Sequence, residues 1–240
     1  MPTALLVLVL AQGAQCSPEA TALMKAASER AAVFDLAGAL QRMQAAVKSG
    51  CTEAMLPVLY LRGWIAARDA YRVGGSPESL RAVVQSIASL QDTMGKSGPP
   101  QIAALVLQAA AAAAQSERDE LALMIDYAVQ LEDRDLAARR PGLPLITAHE
   151  AAGDLWLQVY RYDEARRAYM TAAERVGVTP RITLGLARLA VRIDALATAC
   201  KQYQSLVTSW KGTAPEPPEL SEARTFLTTP ACQGPVTPRP

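Results

Sequence analysis

Residues 153–176 read GDLWLQVYRYDEARRAYMTAAERV, two amphipathic helical segments joined by a very short turn. The layout recurs over Leu186–Leu206, and Ala165 and Tyr169 are matched 34 residues later by Ala199 and Tyr203. Such a unit cannot bury its apolar stripe alone and needs neighbours to cover it. The repeat predicts an all-α chain of antiparallel helical hairpins stacked as an α-α solenoid, with a closed bundle of the same helices as the competing arrangement. Composition agrees: half the residues are apolar, only 5% are aromatic, and alanine, the best helix former, is abundant.

Helix starts and stops are legible along the rest of the chain. Ser17-Pro18-Glu19 opens a first helix, running to about Val33, with a cap, a first-turn proline and an early acid. A second spans about Leu36–Ser49 and ends at Gly50; Thr52 is placed to cap a third, which reaches Val73 before Gly74-Gly75. Ser76-Pro77-Glu78 opens the fourth, and Lys96–Pro100 is a turn before a fifth, Gln101–Gln115. Ser116–Asp119 resembles a capping box for a sixth helix, whose Leu121, Met124, Ile125, Ala128 and Leu131 form one apolar face. Arg140–Pro144 is the clearest joint. Beyond it come helices over about Leu145–Val159, Asp163–Val176, Arg181–Ile193, Leu196–Trp210 and Glu219–Leu227. The chain thus divides into N-terminal hairpins over 14–139, C-terminal repeats with a terminal helix over 145–229, and a Pro-rich tail over 230–240.

The apolar run Ala4–Ala11 is too short to cross a bilayer, which takes ~20 apolar residues, and has the length of a signal-peptide core. Residues 1–13 are read as a signal peptide, with the mature chain starting at about Ala14 and destined for the periplasm or the exterior. Cys16 raises a second possibility, a lipid anchor, but Gln15 occupies the position where the anchoring motif wants a small residue. An exported chain is expected to oxidise its cysteines. Hairpin geometry favours Cys16–Cys51 and Cys200–Cys232, because in each pair the cysteines lie at adjacent ends of antiparallel helices. Each bridge would staple an end unit and contribute ~2–4 kcal/mol. A zinc site wants close pairs of cysteines, and none of these four lies within 30 residues of another.

The residues of the two clearest units resemble the tetratricopeptide repeat family, whose unit is 34 residues long. Ala152, Gly153, Trp156, Tyr162, Ala165, Tyr169 and Ala172 carry the resemblance in the first unit. Leu186, Ala187, Ala190, Leu196, Ala199, Tyr203 and Leu206 carry it in the second. It covers about Leu145–Trp210 and is degenerate elsewhere. It implies a superhelix whose inner helices line a concave groove, through Thr147, Glu150, Asp154, Leu157 and Gln158 in one unit and Arg181, Leu184, Arg188, Val191 and Arg192 in the next. Arg188 and Arg192, four apart, share a helix face and suit carboxylate or phosphate recognition. They could equally pair with Glu150 and Asp154 on the adjacent inner helix.

No phosphate loop, nucleophile elbow, zinc-protease motif or EF-hand occurs. His149 is the only histidine and has no evident catalytic partner, so packing is its expected role. The acid clusters Glu117/Asp119/Glu120 and Glu132/Asp133/Asp135 read as caps and solvated faces. A net charge of +1, evenly spread, offers nothing to nucleic acid. The expectation is an exported, non-enzymatic module without cofactor or metal. It binds a protein or peptide in the groove through Glu150, Asp154, Gln158, Arg181, Arg188 and Arg192. The alternative is a structural or assembly subunit of a cell-envelope complex.

Overall fold

The structure is a computed structural model that describes residues 16–72, 74–95, 97–137, 145–210 and 216–233. The predicted signal segment, the Arg140–Pro144 joint and the last seven residues lie outside these. Among the described residues there is no strand, and twelve α-helices follow in order. They are α1 Pro18–Ala32, α2 Leu36–Lys48, α3 Met55–Arg72, α4 Pro77–Met94, α5 Pro99–Ala114, α6 Arg118–Ala137, α7 Ala148–Gln158, α8 Tyr162–Val176, α9 Pro180–Arg192, α10 Leu196–Ser209, α11 Pro218–Leu227 and α12 Pro230–Gln233.

Several starts follow the local chemistry. The hydroxyls of Ser17, Thr147 and Thr179 accept the N–H groups of Ala20, Glu150 and Ile182, and the Asp35 carboxylate accepts that of Gly38 at 2.7 Å. Two expected caps do not form. Thr52 enters a short 3-10 turn, Thr52–Ala54, instead of capping α3. Ser116 takes φ 63° in the turn after α5, so the capping box is replaced by a start at Arg118, with the Glu117 carbonyl accepting from Leu121.

The turns inside the helix pairs share one closure. Phe34, Gly74, Ser116, Tyr160 and Asp194 all have positive φ, between 57° and 70°. In each case the next residue donates its N–H to the carbonyl five positions back: Asp35 to Arg30, Gly75 to Ala70, Glu117 to Ala112, Arg161 to Trp156 and Ala195 to Ala190. This is the left-handed helix stop that satisfies otherwise orphaned carbonyls. Five hairpins result, α1–α2, α3–α4, α5–α6, α7–α8 and α9–α10, and adjacent pairs are stacked.

Small residues bring the helices together. α5 is apolar on almost every face and is covered by α3, α4, α6 and α7, as a helix hydrophobic all round must be. Tyr169 of α8 is fully buried with its ring between two glycine backbones, Gly153 on α7 and Gly185 on α9. Its hydroxyl donates to Asp154 at 2.7 Å. The larger apolar cluster runs from α1 to α9 and so lies on both sides of the Arg140–Pro144 joint. A second joins α9, α10 and α11, and Phe34 from the α1–α2 turn belongs to it. The first turn therefore packs with the apolar side chains of the C-terminal helices.

Cys16 is bonded to Cys51 and Cys200 to Cys232, with Cα–Cα distances of 4.7 and 5.5 Å. In this bonded form Cys16 carries no free thiol. No described helix is long and apolar enough to cross a membrane. Two disulfides and the lack of such a helix are compatible with export.

Candidate functional site

Helices α3, α7 and α9 and the start of α11 line a cleft of about 470 Å³. Two elements fix its α7 wall. The buried Glu132 of α6 accepts the N–H groups of Ala148 (2.8 Å) and His149 (3.2 Å), capping α7 from outside. Burial pushes the Glu132 carboxyl above its usual range against the pull of those two bonds. Beside it, His149 Nε2 lies 3.0 Å from Asp133 Oδ1, which also pairs with Arg175. The lone histidine and its acid cluster thus position α7, outside the cleft.

The six residues expected to line the groove separate into paired and unpaired groups. Arg181 is clamped between Glu150 and Asp154 Oδ2, the latter at 3.3 Å. Glu150 is 4% exposed, and burial raises its pKa despite the guanidinium. This triad ties α9 to α7 and leaves Glu150 no surface to offer a partner. Arg188 pairs with neither Glu150 nor Asp154. It holds Glu222 of α11 through two bonds, Nε–Oε1 at 2.9 Å and Nη2–Oε2 at 2.5 Å, and the Tyr203 hydroxyl donates to the same carboxylate at 2.9 Å. Burial works against the Glu222 charge, but the Arg188 and Tyr203 bonds outweigh it and hold the carboxyl below its usual range. The expected Arg188/Arg192 pair is therefore divided, with Arg188 satisfied internally. Arg192 is exposed and has no hydrogen-bond or ion-pair partner among the described residues. Gln158 ends α7, and its carbonyl accepts from the Tyr71 hydroxyl at 3.2 Å.

The opposite wall was not foreseen. Arg68, Tyr71 and Arg72 of α3 and Tyr160 of the α7–α8 turn line the cleft, and Arg68 reaches Glu219 of α11 at 3.1 Å. That pair is 151 residues apart in sequence, so no local pattern announces it. The only hint is the spacing of Glu219 and Glu222, which puts both acids on one turn of α11. Trp64 lines the same cleft, fully buried, and its indole N–H has no partner among the described residues.

Among the described residues no group of three or more His, Cys, Asp or Glu side chains is disposed to hold a metal ion. Comparison with protein-family models, with curated proteins and with solved structures finds no match for this chain.

Proposed function

We propose that the chain is a tetratricopeptide-like α-α solenoid that works as an exported, non-enzymatic interaction module. It takes a protein or peptide segment in the cleft between α3, α7, α9 and α11. The 34-residue spacing of Tyr169 and Tyr203, and of the turn residues Tyr160 and Asp194, supports a repeat built from one hairpin. The two disulfides fit an oxidising compartment. One observation carries the binding reading: the cleft is walled by ion pairs that hold it in shape, while its mouth keeps exposed polar side chains that those pairs leave unused.

Site-specific photo-cross-linking tests it. A benzophenone side chain at Gln158, in the cleft, is compared with one at Met170, exposed on α8 away from it. Cross-linked product in the producing cell from Gln158 and not from Met170 supports the proposal; product from Met170 alone, or from neither, overturns it.

A second reading, an assembly subunit that packs laterally, draws on Leu123 and Tyr127. These lie four apart on α6, 65% and 46% exposed. Light scattering separates the two, because a strictly monomeric, partnerless protein ends this second reading.

A further inference from the structure

The geometry points to the mouth of the cleft as a receptor for the side-chain carboxylates of an acidic partner segment. Arg72 and Arg192 are the receiving cations, and Tyr71 and Tyr160 the flanking rings. The inference rests on the cleft being an interaction site and gives that site a chemistry.

The inner helices bring their C-terminal ends to one edge. Arg72 is the last residue of α3, Gln158 of α7 and Arg192 of α9, and all three line the cleft. Tyr71 bonds the Gln158 carbonyl and so fixes α3 against α7 at this edge. The cleft's other arginines are committed: Arg68 to Glu219, Arg181 to Glu150 and Asp154, Arg188 to Glu222. Arg72 and Arg192 are exposed and make no hydrogen bond or ion pair among the described residues. The excess positive charge of the cleft is therefore concentrated at its mouth.

A guanidinium presents a planar fork that matches a carboxylate bidentately, as Arg188 does with Glu222. The molecule already shows what its inner face accepts. Glu219 and Glu222, on one turn of α11, are received by Arg68 and Arg188. An acidic segment at Arg72 and Arg192 extends that row with carboxylates from outside. The two cations stand on different helices, beside Tyr71 and Tyr160, 39% and 59% exposed; both offer ring area, and Tyr160 a hydroxyl as well. That spread suits a segment with several side chains better than one small anion.

A cation in the last turn also offsets the helix dipole. That role shows in stability and the receptor role in binding, so both are measured. Fluorescein-labelled oligoglutamate and oligolysine are titrated with the disulfide-bonded chain at low ionic strength and followed by anisotropy, with thermal unfolding recorded for every variant. The wild-type chain is expected to bind oligoglutamate and not oligolysine. R72Q/R192Q weakens binding by about tenfold or more, whereas R166Q/K201Q, which removes two exposed charges from α8 and α10, changes it less than about twofold. Equal weakening by both double variants overturns the inference, since net charge alone then explains binding. So does a wild-type chain that binds inorganic phosphate but no oligoglutamate. If oligoglutamate is not bound while the Gln158 cross-link still forms, the acidic class falls and the cleft stands. If oligoglutamate binds but Gln158 captures nothing, the receptor stands and the protein-partner reading falls.

Discussion

Tyr169 has almost no freedom. A Cβ added at Gly153 would stand 2.5 Å from its ring, and one at Gly185 would meet the ring from the other side. The ring cannot retreat from one helix without striking the other. Gly185→Ala is therefore expected to cost about 1–3 kcal/mol by overpacking, read as a lower urea midpoint. Gly153 and Tyr169 were legible in the sequence because they fit the repeat. Gly185 was not, since the 34-residue register sets Ala187 opposite Gly153 and the glycine acts two positions away. Glu222 gives a prediction in pH. Its folded pKa is depressed from 4.5, so the stability it contributes is complete above that unfolded value and is lost as pH falls through the folded one. Glu222→Gln should flatten the acid limb of the stability curve below about pH 5. Discounted for partial exposure, the lost pair is worth about 1 kcal/mol at neutral pH, and denaturant titrations at stepped pH check both effects. The raised Glu132 and Glu150 act with the opposite sign, losing stability as pH rises through their folded values, and they cancel when variant and wild type are compared.

At the level of elements, the helices were readable and the turns that join them only partly so. The cap at Ser17, with a proline next to it, announced α1 through plain hydrogen-bond chemistry; the Thr179 cap of α9 went unread. Ser116-Glu117-Arg118-Asp119 misled because the same letters serve two purposes: the box pattern needs Ser116 extended, while the stop of α5 needs it left-handed, and the stop prevails. A β-carbon in that conformation is strained, and Ser116 is exposed without a side-chain partner. Ser116→Gly should therefore raise stability by up to about 1 kcal/mol, measured as an increase in Tm without loss of helicity. The same change at Phe34 has the opposite expectation, because that buried side chain is part of the C-terminal apolar cluster.

At the scale of the whole molecule, the paired hairpins were evident from periodicity, and the curling that brings α3 to α11 was not. Curvature accumulates from small rotations at each interface, and no residue pattern encodes their sum. Half of the cleft was consequently hidden: its α7 and α9 residues could be listed from the repeat, while Arg68, Tyr71, Arg72 and the acids of α11 could be found only in space. Truncation after Trp210 tests the dependence directly. It removes Glu219, Glu222, Leu220 and Ala223, and should leave α1–α9 helical by circular dichroism while abolishing the cross-link at Gln158. The pairing of Arg68 with Glu219 also sets an order in time. Ribosomes make α3 well before α11, so a growing chain has most of its helices and turns before it has a complete cleft. Any partner that needs the finished cleft must wait for α11, and a molecule synthesised only as far as α10 cannot compete for it.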